Sequence, residues 1–310
     1  MIHAICLNPT IDRYYYIDDY LQGKQYKGLV PHMCAGGKGI NVAKACASME
    51  VPVVLYGFVG RENSAQILDE LTQAGIPQQL LPVPGYTRTS INIIDNRNCR
   101  ETELLELGPY VAQEAGQRLM QLLTGRLAPG DLVICSGLSA PGIPEDFYVQ
   151  ISQACRQAQA KCLLDTNGQN LKDSVAGQYY MLKPNQQELC ELCGAAPTHD
   201  LAVLRTLAQG LMAHTQWVLV SMGKRGGLLV GKELCCLAQV PKVAVKATIG
   251  CGDSAMAGFA MAVQRGDSPE DALRFALACG TANALTEGAG CLNKADVARL
   301  MNEIRVSRLA

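Results

Sequence analysis

Thr248-Ile249-Gly250-Cys251-Gly252-Asp253-Ser254 leads without a break into the small and apolar run Ala255-Met256-Ala257-Gly258-Phe259. Two glycines let the backbone turn sharply, so that successive N–H groups converge on one point. The residues that follow have a helical pattern, and the first N–H groups of a helix, with its dipole, favour an anion at the same point. Asp253 therefore stands where its carboxylate would meet a negatively charged phosphoryl group. That placement is unfavourable unless the carboxylate takes a proton from a hydroxyl attacking the group. Gly250, Cys251, Gly252 and Asp253 are thus a candidate anion-binding segment. The four-residue pattern is short, and its meaning depends on what precedes it.

Upstream, from about residue 110, strand and helix signals alternate. Residues 131–135, 162–164, 179–182 and 217–221 are short apolar runs, residues 144–157 read as a helix, and two helices fill 252–286. This order predicts an α/β fold with a mostly parallel sheet covered on both faces. Ligands of such sheets sit at the carboxyl ends of the strands, where Asp165, Lys183-Pro184-Asn185 and Ser221-Met222-Gly223 fall. The N-terminal third breaks the rhythm. Strand-like runs at 14–20, 28–34 and 88–95 predict a small antiparallel sheet standing off the main layer, inserted from about 12–35 and 86–106 of a single domain. Such a sheet is free to cover a site or to pair with a second copy of the chain.

The composition of the 310 residues bounds the partners. Hydrophobic residues make up 48% and charged residues 18%, as in an ordinary globular protein. No apolar run approaches the roughly 18 residues of a membrane helix. A formal net charge of −1 argues against nucleic acid or an anionic membrane as the main partner. Residues 2–7 already read as a strand, with no basic leader before them, so the expected compartment is the cytoplasm. The 14 cysteines are scattered, mostly in apolar segments. The one Cys-x-x-Cys, Cys190 and Cys193, lies in a helical pattern, so reduced thiols are expected rather than a metal knuckle.

Five further segments carry chemistry. Ala35-Gly36-Gly37-Lys38-Gly39-Ile40-Asn41 joins a strand to a helix, and its glycines let a polar ligand approach the backbone beside Lys38 and Asn41. It has neither the Walker A nor the dinucleotide spacing, and a plain strand–helix turn is the other reading. Asp12, after Asn8-Pro9-Thr10-Ile11, suits sugar hydroxyls or a turn, and Arg88 suits a phosphate or a solvated strand edge. Asn185 and Glu188 share one side of a first helical turn. They can order the water shell of Mg²⁺, form a capping box, or do both. Ser221-Met222-Gly223-Lys224-Arg225-Gly226-Gly227 is a phosphate loop or a hairpin turn.

In this order the segments resemble the ribokinase-like superfamily, specifically the PfkB-type carbohydrate kinases. The N-terminal signature is similar to Ala35 through Ala43 and the C-terminal one to Thr248 through Phe259. Leu7 through Arg13, Thr87-Arg88-Thr89, and Glu101-Thr102-Glu103 with Gly108-Pro109 resemble the hexose-phosphate branch of 1-phosphofructokinases and tagatose-6-phosphate kinases. The resemblance implies a three-layer α/β/α fold with a β-lid. It also implies ATP with Mg²⁺ as donor and a ketohexose phosphate as acceptor. Asp253 becomes the base and the amides of Gly250 to Asp253 the anion hole. Asp12, Gly36, Gly37 and Asn41 hold the sugar, while Lys38 and Arg88 hold its phosphate. Lys183, Asn185, Glu188, Ser221, Gly223 and Gly226 line the nucleotide site, with Asn283 beside the adenine. Lys27 stands where the branch often has an arginine. Fructose 1-phosphate, tagatose 6-phosphate and fructose 6-phosphate all stay open as acceptors, as do an unphosphorylated sugar, a nucleoside or a purely binding role.

Overall fold

Alternate residues of β1 (Ile2–Cys6) leave the strand toward two different cores. Ile2, Ala4 and Cys6 enter one; Ile5, and Leu7 just beyond the strand, enter the other. β8 (Leu132–Ser136) repeats the pattern, with Leu132 and Ile134 on one side and Val133 and Cys135 on the other. Strands buried on both faces need a layer of helices on each. The computed structural model, which describes residues 1–98 and 100–309, supplies both. One layer holds α1 (Lys38–Ser48), α2 (Ala65–Gln73), α8 (Cys251–Arg265), α9 (Pro269–Asn283) and α10 (Lys294–Glu303). The other holds α3 (Gln113–Thr124), α4 (Phe147–Gln157), α5 (Gly168–Ser174), α6 (Gln186–Leu192) and α7 (Leu201–Gly210).

Between them lies a ten-stranded sheet. β4 (Val53–Gly60), β5 (Gln78–Val83), β9 (Lys161–Asp165), β10 (Tyr179–Leu182) and β11 (Thr215–Ser221) extend β1 and β8 in the parallel order β5-β4-β1-β8-β9-β10-β11. β12 (Gly227–Val230), β13 (Cys235–Gln239) and β14 (Arg305–Arg308) continue it antiparallel. The three-layer α/β/α reading therefore holds. The loop at Gly223 to Gly226 is the turn of the β11–β12 hairpin, and helix α4 starts at Phe147 rather than at 144.

The second sheet has four strands in the order β3-β2-β6-β7: β2 (Thr10–Ile17), β3 (His32–Gly36), β6 (Arg88–Asp95) and β7 (Arg100–Leu105). It is mixed rather than antiparallel, because β2 and β6 run side by side in the same direction. Each follows a parallel strand of the main sheet, β1 and β5, and leaves it at the same carboxyl edge, which dictates the direction. β2 also starts at Thr10, earlier than the apolar run, so that Asp12 is a strand residue rather than part of a turn. No helix among the described residues is long and apolar enough to cross a membrane.

Candidate active site

The residue that caps the start of α8 is a glycine because it sits where no side chain fits. Gly250 has φ 83°, and a Cβ there would lie 2.8 Å from that of Ala289. The turn is locked from behind by Asn283, the last residue of α9. Its amide nitrogen donates to Ile249 O at 2.8 Å, and its oxygen accepts from Gly290 N at 2.7 Å and from Ser254 Oγ at 3.1 Å. In front of the turn, Gly250, Gly252 and Asp253 line a cavity of about 410 Å³ at the carboxyl edge of the main sheet. Asp12, Gly37, Lys38, Asn41 and Arg88 line the same cavity, as do Lys183, Asn185, Glu188 and Ser221.

Charge organises its floor. Asp165, at the end of β9, is 1% exposed and lies between two ammonium groups. Lys38 Nζ donates to its Oδ1 at 3.0 Å, and Lys183 Nζ pairs with its Oδ2 at 2.9 Å, off the line of a hydrogen bond. Burial alone would push the Asp165 carboxyl up, but Lys183 and Lys38 outweigh it and hold it below the ordinary range. Burial likewise opposes the charge on Lys38, yet Asp165 and then Asp253 hold it protonated. A Cβ on Gly252 would stand 3.2 Å from Lys183 Nζ, so this second cation lies against the glycine turn. The turn thus joins helix N–H groups to a lysine, an arrangement that stabilises charge on a transferring phosphoryl group.

Asp253 is 5% exposed, and its Oδ2 accepts from Asn41 Nδ2 at 2.8 Å. Burial raises its carboxyl to about 6, against the pull of Lys38 and with a further push from Asp165. A carboxylate with that affinity is a better proton acceptor than an exposed aspartate and is still ionised at neutral pH. Across the cavity, Asp12 packs on the backbone of Gly36, where a Cβ would be 2.0 Å from its Oδ2. Arg88 Nη2 and Nε donate to Asn8 O at 3.1 and 3.3 Å. Asn8 Oδ1, Asn41 Oδ1 and Ser136 Oγ belong to lining residues and are buried without a partner among the described residues, as befits a site for a polyhydroxylated ligand.

Residues 7–295 match the pfkB family of carbohydrate kinases. The chain belongs to that family. It is 29% identical over 309 residues to 1-phosphofructokinase of Bacillus subtilis, covering 100% of both chains. Tagatose-6-phosphate kinase of Staphylococcus epidermidis is 26% identical over 309 residues, 99% of each chain. The fold superposes on Escherichia coli phosphofructokinase-2, solved in complex with potassium, with a TM-score of 0.90 over 97% of this chain and 98% of that one at 22% identity.

Several expected residues of this PfkB kinase have other duties. Cys251 is not on the cavity wall. Its Sγ lies 3.5 Å from Asn283 Nδ2, and its N–H reaches back to Thr248 O at 3.4 Å, so among the described residues the amides open to an anion in the first turn are those of Gly252 and Asp253. Asn283 is wholly buried, and its amide is spent on the turn rather than on a base. Gly223 and Gly226 also stand off the wall. They close the hairpin, with Gly226 N donating to Gly223 O at 2.9 Å. Gly36 shapes the seat of Asp12 without lining the cavity itself. Lys27 is exposed and does not line the cavity. Asn185 and Glu188 do form a capping box, with N–H to oxygen distances of 2.7 and 2.8 Å. Cys190 and Cys193 carry free thiols, and no cluster of metal-binding side chains occurs among the described residues.

Sequence reasoning placed Asp165 at a strand end without giving it a role, left Ser136 unassigned, passed over Ser90 and used Glu103 only in the branch resemblance; all four lie on the cavity wall. The last two come from the small sheet, where Ser90 Oγ donates to Glu103 Oε1 at 3.2 Å. Asp165 had a signal, a carboxylate at the carboxyl end of a parallel strand, and Glu103 had one in the branch motif; Ser90 had none. Asn283→Ala should strip four partners, Ile249 O, Gly290 N, Ser254 Oγ and Cys251 Sγ, from the turn. A loss of about 2 kcal/mol or more in urea unfolding is expected, together with a lower kcat.

Proposed function

We propose that this kinase transfers the γ-phosphoryl group of ATP to a primary hydroxyl of a ketohexose phosphate, fructose 1-phosphate or tagatose 6-phosphate, giving the bisphosphate. What supports the reading is one juxtaposition. A buried carboxylate of raised proton affinity stands at a helix N-terminus, in one cavity with Asp12, Asn41 and two lysines. The similarity to a 1-phosphofructokinase and a tagatose-6-phosphate kinase along the whole chain supports the acceptor class.

In this reading the acceptor hydroxyl gives its proton to Asp253 as its oxygen attacks the γ-phosphorus, and the bond to the β-phosphate oxygen of ATP breaks in line. Asn41 orients the Asp253 carboxylate. The Gly252 and Asp253 amides and Lys183 meet the charge on the transferring group. Asp12 accepts from sugar hydroxyls, and Arg88 holds the acceptor's phosphate. Lys38 has donors to spare beyond the one given to Asp165 and adds to that phosphate site. Ser221 and the capping-box residues line the side given to ATP. The box uses Asn185 Oδ1 and Glu188 Oε2, which leaves Glu188 Oε1 for the hydrated Mg²⁺ that accompanies ATP, a hard-oxygen donor that fits. Bound there, the ion would neutralise phosphate charge. Ser90, Glu103 and Leu105 close the cavity from the small sheet, which acts as a lid that excludes water. The lid's exposed apolar side chains, Val30, Met33, Leu104 and Leu107, support a second copy of the chain as its partner; a monomeric mass in solution overturns that.

Asp253→Asn is expected to lower kcat by at least about 10²-fold. Wild-type kcat/KM for the acceptor should begin to fall as pH drops below about 7, as Asp12 becomes protonated, and fall more steeply below about 6, as Asp253 does. The stability effect has the opposite sense. The folded-state affinity lies above the ordinary 3.8, so this group's stabilising share is present below that value and lost as pH rises through about 6. The Asn variant should therefore melt above the wild type at pH 8, with the gap closing toward pH 4. Near-normal turnover of the variant sinks the assignment. Among fructose 1-phosphate, tagatose 6-phosphate, fructose 6-phosphate and free fructose, kcat/KM with MgATP should be highest for one of the first two. A preference for the free sugar overturns the acceptor class.

A further inference from the structure

β3 is an edge strand of the small sheet, and its open side would ordinarily offer unpaired N–H and C=O groups to water or to another chain. At Ala35, just before the glycine turn into α1, that side is filled by two helices. Ala35 N donates to Glu70 Oε2 of α2 at 2.6 Å. Lys44 Nζ of α1 donates to Ala35 O at 2.6 Å and to Glu70 Oε1 at 2.6 Å. One ion pair thus grips both polar groups of a single residue. Lys44 is 11% exposed, so the bonds are largely shielded from solvent.

The gripped residue adjoins Gly36, the seat of Asp12. Ala35 pairs with Ile11 and Gly36 with Thr10, so β3 and β2 carry the position of one into the other. We propose that Lys44 and Glu70 are positioning residues for the acceptor site: they hold the Ala35–Gly36 backbone under the Asp12 carboxylate and so set its place and its charge. This rests on the reading that Asp12 contacts the acceptor.

The charge around Asp12 comes from every neighbouring element. Burial raises its carboxyl to about 7; Lys44 and then Arg88 pull it down, Glu103 of β7 pushes it up, and a hydrogen bond with Thr10 lowers it. The Cys34 thiol of β3 and the Tyr14 hydroxyl of β2 also face it, both raised by burial. Lys44 is the largest influence holding Asp12 ionised. Without it the carboxyl moves above about 7 and is mostly protonated at neutral pH, losing acceptor capacity for sugar hydroxyls.

The test is steady-state kinetics of Lys44→Met, Lys44→Arg, Glu70→Gln and Asp12→Asn, each divided by wild type at the same pH so that ionisation of the substrates cancels. Lys44→Met should raise the acceptor KM about tenfold at pH 7 while the KM for MgATP stays within about twofold. The excess should shrink by pH 9, and Lys44→Arg should restore most of the loss. Glu70→Gln keeps the Lys44 charge and loses only the doubled grip. Its acceptor KM should rise with little dependence on pH, and this variant decides the matter should Lys44→Met fail to fold. An unchanged acceptor KM in Glu70→Gln, or equal rises in both KM values in Lys44→Met, overturns the proposal. If Asp12→Asn leaves the acceptor KM unchanged, the reading of the acceptor site has failed instead.

Discussion

A single hydrogen bond, Asn41 Nδ2 to Asp253 Oδ2 at 2.8 Å, ties together two glycine turns 212 residues apart. Each turn opens a helix of the same layer, α1 and α8, and each helix enters the cavity by its N-terminus. The bond can form only if both helices start at the carboxyl edge of the sheet. That in turn requires the parallel order through β1, β8 and β9. The site is thus a consequence of sheet topology, and the topology of strands buried on both faces. Remove the bond and a buried carboxylate loses a donor in a place where each lost donor is costly.

Electrostatic balance is the second constraint. The cavity gathers the carboxylates Asp12, Asp165 and Asp253 with Lys38, Lys183 and Arg88. Burying so many charges is expensive unless they compensate one another. Asp165 meets this cost by pairing with both lysines. Among the described residues Asp253 has no direct ion pair and is left with an amide and more distant cations. The difference in surroundings explains why two buried aspartates go opposite ways, Asp165 below the ordinary range and Asp253 above it. One serves as fixed charge and the other as a group ready to take a proton.

The backing of the turn was the least legible part of the site. Asn283 was expected beside the adenine only through the family resemblance. Its neighbours in space, Ile249 and Gly290, come from two other segments, and no local pattern brings them together. Cys251 reads as part of a catalytic run, but a helix start sends successive side chains in different directions, and this one goes under Asn283. The small sheet shows the same limit. Its strands are visible as apolar runs, whereas the parallel pairing of β2 with β6 depends on where each leaves the main sheet.

The chain alone determined what local chemistry can determine. The βα rhythm set the layers, the glycines set the turns, Asn185 and Glu188 spelled a capping box, and two signatures named the family. Tertiary structure decided which polar groups meet. It put Lys38 on Asp165, an ion pair 127 residues apart in sequence, and it seated Asp12 on Gly36 with Ala35 gripped by Lys44 and Glu70. The glycine turn at 250 to 253 was readable as an anion site because N–H direction is a property of a few neighbouring residues. The proton affinity of its aspartate was not, because that depends on burial and on charges contributed by distant strands.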